Sequence, residues 1–159
     1  MDKDYVIPQL HKCIRNFTCL LEDIKSLNLI SLNKNKLKSI EKPYELLCNV
    51  KGLGPTGISK YLHMHKPNLF IMWDNQIFRD YFHIYTVNKY TASSKRYIKF
   101  MLRMKDEILE AISTWNLSEN LSENNIINLF KQQFNNETIP RILDKYNFVT
   151  RGKKKTNIY

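Results

Sequence analysis

Val50-Lys51-Gly52-Leu53-Gly54-Pro55-Thr56-Gly57-Ile58-Ser59-Lys60-Tyr61-Leu62 holds three of the four glycines in the chain. A sequence this poor in glycine has gathered it where the backbone must bend sharply or let another group come close. Pro55 suits the first turn of a helix, where its missing N–H costs nothing. Gly52-Leu53-Gly54 therefore reads as a tight turn, with a helix running from Pro55 through Lys60 and Leu62. Upstream, Leu46, Leu47 and Val50 lie at helical spacing. The stretch is predicted to be helix, glycine turn, helix. Its free turn amides and the start of the second helix would form an anion site that fits a phosphate. Lys51 and Lys60 flank it with positive charge.

The remaining chain gives apolar stripes at a period of 3.6 and no strand alternation, so the fold class expected is all-α. Pro8 opens a first helix carrying Ile7, Leu10, Ile14, Phe17, Leu21 and Ile24. Ser31 is a candidate cap for a short helix bearing Leu32, Leu37 and Ile40. Pro43 is expected to end that region and to start the helix that enters the glycine turn. Leu69-Phe70-Ile71-Met72-Trp73 reads as an apolar link through the core that delivers Asp74, at the start of a helix reaching about Tyr85. Ser93 or Ser94 caps the longest helix, roughly Lys95 to Trp115, with Ile98, Met101, Leu102, Ile108, Leu109, Ile112 and Trp115 inward. Leu-Ser-Glu-Asn occurs twice, at 117–120 and 121–124, and reads as a duplicated turn or cap segment. Two more helices carry Ile126 to Phe134 and Ile139 to Tyr146. Residues 1–150 form one domain, and 151–159 a basic tail suited to phosphates.

Composition narrows the partner. The chain has 159 residues, enough for one domain with a proper core, and is 43% hydrophobic. Its 25 Lys and Arg against 15 Asp and Glu give a net charge of +10, which favours a polyanion. Cys13, Cys19 and Cys48 have no paired spacing and read as reduced, buried thiols. His63 and His65, two apart, cannot share a helix face, so no metal site is expected. The opening Met1-Asp2-Lys3-Asp4-Tyr5 leads us to expect no secretory leader, and no apolar run is long enough for a membrane span. An intracellular location is expected.

Leu47…Val50-Lys51-Gly52-Leu53-Gly54…Gly57 resembles the helix-hairpin-helix of DNA-binding proteins. It looks most like the version in the base-excision DNA glycosylases, the helix-hairpin-helix and Gly/Pro…Asp superfamily. Asp74 follows Gly54 at the separation found in the endonuclease III-like branch, and Asp74-Asn75-Gln76-Ile77-Phe78-Arg79 opens a helix as there. The resemblance spans Leu46 to Phe82. It implies an all-helical domain that binds double-stranded DNA through its phosphate backbone. Some members carry a four-Cys iron–sulfur cluster after the barrel; no cysteine lies beyond Cys48 here, so no cofactor is expected. Lys51, Gly52, Leu53, Gly54, Thr56 and Lys60 would contact DNA. Asp74 would be the catalytic carboxylate that stabilises charge building on the sugar as a flipped base leaves. Thr56 stands where bifunctional members carry a Schiff-base lysine, which implies hydrolysis without strand cleavage. Gln76 replaces a histidine of that branch. Fewer residues precede the hairpin than in the glycosylases, and these help to wall the base pocket there. The alternative is a non-enzymatic nucleic-acid-binding module in which Asp74 is only a helix N-cap. Trp73, Tyr61 and Tyr81 are candidates for stacking on a base, with core packing the commoner use of such residues.

Overall fold

The computed structural model describes residues 15–88, 91–119 and 123–151, and these form an all-α domain with no strand among them. Helix α1 covers residues 15–23. A 3₁₀ turn at Lys34–Lys36 leads directly into α2, Leu37–Cys48. Next come α3, Pro55–His65, and α4, Asn75–Phe82. The long α5, Ser94–Glu119, is followed by α6, Glu123–Gln133, and α7, Ile139–Arg151. Helix α5 packs against α2 and α6, α2 packs on α3, and α7 lies against α4. No helix among the described residues is long and apolar enough to cross a membrane. His11, Cys13, the first half of the Pro8 helix and the tail after Arg151 lie outside the described residues.

Helix α5 buries Tyr97, Ile98, Phe100, Met101, Met104, Ile108 and Ile112. Their steps of three and four place them on one stripe facing the core. Each large apolar side chain removed from water contributes about 1.5–3 kcal/mol. The sequence stripe gave Leu102 and Leu109 as inward; both are only half-buried, and Tyr97, Phe100 and Met104 take the deep positions.

Four boundaries differ from expectation. Pro43 does not divide two helices but lies buried inside α2. Only one backbone hydrogen bond, to the Ser39 carbonyl, is forgone there, and burial of the ring compensates. Ser31 is not a helix cap. It closes a turn with Asn28, its amide donating to Asn28 Oδ1 at 2.8 Å, and Asn33 caps the 3₁₀ turn by accepting the Asn35 amide. Helix α4 stops at Phe82 because His83 takes a left-handed conformation, with φ of 53°. The first Leu-Ser-Glu-Asn copy continues α5 through Glu119 rather than forming a turn.

The core centres on Trp73, which is 1% exposed. Phe78, Tyr97 and Phe100 surround it at ring separations of 5.0, 5.1 and 5.6 Å, with Tyr44 at 6.2 Å. Tyr44 and Tyr97 stack on each other at 4.6 Å. Their buried hydroxyls donate to the carbonyls of Ala92 and Ile71, at 3.0 and 2.7 Å. Burial pushes both phenols well above the usual tyrosine range, so they remain donors.

Candidate functional site

The three glycines of the turn have three different settings. Gly52 has φ of 86°, a left-handed conformation that side chains resist. Gly57 makes room: a Cβ there would meet Leu53 Cδ1 at 2.9 Å. Gly54 has neither reason. Its φ is −82°, and nothing lies within 4 Å of where its Cβ would be.

The turn is less open than its sequence suggests. Val50 N–H donates to the Leu47 carbonyl at 3.0 Å, and Leu53 N–H to the Val50 carbonyl at 3.2 Å. Those two amides are used internally, because the chain leaves α2 through consecutive tight turns. The amides of Gly52, Gly54, Thr56 and Gly57 make no backbone hydrogen bond among the described residues, as expected at a helix start. Lys51, Gly52, Gly54 and Lys60 are exposed, whereas Leu53 and Thr56 are half-buried.

The segment leading to Asp74 is fastened to α3 residue by residue. His63 Nδ1 lies 2.7 Å from the Phe70 carbonyl. The fully buried Ser59 hydroxyl accepts the Trp73 amide at 3.1 Å, and the Trp73 and Thr56 carbonyls lie within reach of its proton. Trp73 Nε1 donates to the Pro55 carbonyl at 3.3 Å. Asp74 then caps α4, its Oδ1 accepting the Ile77 amide at 2.7 Å. Its second carboxylate oxygen has no hydrogen-bond partner among the described residues. Gln76 turns to its own helix, donating to Asp80 at 3.0 Å.

Asp74 lines a cleft of about 580 Å³. Lys60 of α3 and Met72, Trp73 and Ile77 contribute one side of it. Helix α7 supplies the other, with Arg141, Asp144, Lys145, Phe148 and Val149. Arg141 and Asp144 form an ion pair at 2.6 Å, with the Asp144 side chain 18% exposed. Phe148 is 59% exposed. Lys60, expected as a phosphate contact, thus stands on the wall of the cleft beside Asp74. Helix α7 is the part of the site that the sequence reading missed; its one local signal was the Arg141–Asp144 pair at i,i+3.

A buried asparagine helps to hold α7. Asn147 is fully buried; the Tyr81 hydroxyl donates to its Oδ1 at 3.3 Å, and its amide faces Met104 Sδ at 3.2 Å. Trp73 and Tyr81 are therefore core residues, not stacking platforms. Tyr61 packs on Phe17 and His65, at 5.3 and 4.6 Å. Cys19 is exposed, contrary to the expectation of a buried thiol, and Cys48 is half-buried. No group of three metal-ligating side chains occurs among the described residues. A larger groove of about 1140 Å³ lies between α5, α6 and α7, lined by Ile108, Phe130, Phe134 and Leu143. It is mainly apolar and, although it shares Lys145 and Val149 with the smaller cleft, Asp74 does not line it, so the smaller cleft is the candidate site.

Burial raises the Asp144 carboxyl above the usual carboxylate range; the charges of Arg141 and His63 oppose this and that of Asp74 adds to it. The folded state therefore holds the Asp144 proton more tightly than the unfolded chain. The resulting stability is present below the unfolded carboxylate pKa and is lost as pH rises through the folded one. Melting curves of wild type and Asp144→Asn between about pH 3 and pH 7 should show wild type losing ground to the variant as pH rises. Parallel curves would mean that Asp144 carries no such linkage.

Comparison with protein-family models, with curated proteins and with solved structures returned no match.

Proposed function

We propose that this chain is a DNA-binding protein of the helix-hairpin-helix glycosylase type, which hydrolyses the N-glycosidic bond of a flipped base without lyase chemistry. The observation that carries this reading is the cleft beside Asp74. Its volume of about 580 Å³ falls in the range of ~300–1,000 Å³ usual for small-molecule sites. It opens beside a carboxylate oxygen not occupied by the helix cap. Helix α3 links it to the glycine turn, whose amides and Lys51 suit a phosphate. Asp74 stabilises positive charge on the sugar and takes a proton from the attacking water. The net charge of +10 supplies non-specific attraction to the duplex.

One observation favours the second reading, a binding module without catalysis: Asp74 Oδ1 is committed to the Ile77 amide, which is what a structural cap does. Base release separates the two. The protein is incubated with duplexes containing uracil, 8-oxoguanine, alkylated bases and mismatches, and hot alkali reveals abasic sites. Abasic sites establish the glycosylase and identify its base. No release, with duplex binding that weakens in salt by a slope of about −0.9 per phosphate contacted, leaves the module.

Gly54 tests the turn under either reading. With an ordinary φ and open space around its Cβ position, Gly54→Asp should fold normally and gain a helix cap worth about a few tenths of a kcal/mol. The same carboxylate would repel a phosphate held at the turn. Duplex affinity should fall at least about tenfold, measured by fluorescence anisotropy beside a thermal melt. Unchanged affinity would place the DNA elsewhere.

A further inference from the structure

Seven large apolar side chains are exposed among the described residues, and five of them lie on α6 and α7: Leu129, Phe134, Tyr146, Phe148 and Val149. On α7 they extend a stripe. Ile139, Ile142 and Leu143 are buried, whereas Tyr146 and Val149, next at the same helical spacing, are 53% and 57% exposed. The stripe is continuous in sequence, and its cover stops after Leu143. The uncovered part lines the groove of about 1140 Å³ between α5, α6 and α7. That volume exceeds the ~300–1,000 Å³ usual for a small-molecule site. An apolar patch of this kind marks a contact with another macromolecule.

Charge and side-chain content narrow the occupant. The charged residues lining the groove are Glu107 and Glu110 on α5 and Lys145 on α7. Glu107 pairs with Arg103, and Lys145 with Glu137. Glu110 has no ion pair among the described residues. The uncompensated charge in the groove is therefore negative, on a chain of net charge +10. An occupant that is both basic and apolar fits it. Residues 152–159 of the same chain are basic but bring only Ile158 and Tyr159 as large apolar side chains. The end of α7 has both properties. Tyr146, Phe148 and Val149 are exposed on it, and Arg151 opens a run with Lys153, Lys154 and Lys155.

We infer that two copies of this chain meet on this face, each placing the end of its α7 in the groove of the other. A two-fold axis makes such a contact reciprocal, since the residues that fill one groove belong to the patch that borders the second. Tyr146 and Val149 serve in both capacities. The pairing covers the exposed half of the α7 stripe in both chains at once, with the aromatic and aliphatic side chains in which the cores of homodimer interfaces are rich. It also brings the basic end of each α7 toward the free carboxylate of Glu110 in the other copy. Lys145 and Val149 line the cleft beside Asp74 as well, so the interface borders that cleft. The inference goes beyond the glycosylase reading and stands without it.

The test is sedimentation velocity of the full chain from ~1 μM to about 0.5 mM. Salt at about 0.3 M screens the repulsion between two chains of this charge. Wild type should pass from the mass of one chain to that of two as concentration rises. Tyr146→Glu and Phe134→Glu each put a charge into the apolar face and should weaken the dimer at least about tenfold. Tyr85→Glu, at an exposed aromatic residue beyond α4, should leave it unchanged. Thermal melts check that the variants fold. Intermolecular NOEs in a mixture of isotope-labelled and unlabelled wild type locate the contact without any substitution, and should join Phe134 of one copy to Tyr146 or Val149 of the other. The mass of one chain at every concentration overturns the inference. A dimer that Tyr85→Glu weakens equally, or whose intermolecular NOEs lie on other elements, overturns it too. A monomer whose groove takes up an apolar dye only after residues 152–159 are removed does the same, and assigns the groove to the chain's own basic tail.

Discussion

Trp73→Ala should lower the free energy of unfolding by about 3–5 kcal/mol, the range for deleting a large buried aromatic side chain. That is a large part of the ~5–15 kcal/mol total of a typical domain. The effect has two sources. The indole is 1% exposed and shares ring contacts with Tyr44 on α2, Phe78 on α4, and Tyr97 and Phe100 on α5, so its removal leaves a cavity where three helices meet. The Nε1 bond to the Pro55 carbonyl is lost as well. Trp73→Phe should cost less, because it keeps most of the ring packing. Urea denaturation checks both variants. A loss below about 1 kcal/mol for alanine would show that the indole is not the centre of the core. If Trp73 were instead a base-stacking residue, alanine would weaken DNA binding and leave stability almost unchanged.

The second large effect is expected at Asp74, and its value lies in a pair of variants. Asn caps a helix about as well as Asp, so Asp74→Asn keeps an oxygen for the Ile77 amide and should hold stability within about 0.5 kcal/mol. Asp74→Ala removes the acceptor and should cost about 0.5–2 kcal/mol. Base release should respond differently, falling by ~10²–10³-fold or more in both variants, since neither can stabilise charge on the sugar. Stability and release that fall together, in alanine but not in asparagine, would reduce Asp74 to a cap. The reason for expecting the split is that Oδ1 holds the helix, while the second oxygen has no hydrogen-bond partner among the described residues and Asp74 lines the cleft.

The parts of this fold that the sequence made legible were those with local causes. Gly52 and Pro55 marked the turn and the helix after it, because positive φ and a missing N–H are properties of single residues. The link Leu69 to Trp73 showed itself as an unbroken apolar run before an Asp cap. Where neighbours decide, the reading failed. Pro43 is a poor helix residue by itself, yet α2 runs through it because its ring is buried. His83 ends α4 in a conformation that its own side chain does not specify. Tyr97, Phe100 and Met104 lie deeper than Leu102 and Leu109, and a stripe of apolar residues does not reveal which edge faces the densest packing. The site was half legible for the same reason. Lys60 and Asp74 lie close in sequence to the turn. Asp144 and Phe148 reach the cleft only because α7 packs on α4, with the buried Asn147 fixing its depth.

The bond from the Trp73 amide to Ser59 makes the protein a ruler. Ser59 sits a little over one helical turn from Pro55, on the same rigid rod that begins at the glycine turn. The Ser59 hydroxyl holds the peptide immediately before Asp74. On the proposed reading, a phosphate held at the start of α3 and a sugar placed beside Asp74 would therefore be kept at a set offset. Along a polymer of regular repeat such as DNA, a set offset is a count: the phosphate seized by the turn would decide which nucleotide is presented, whatever its base.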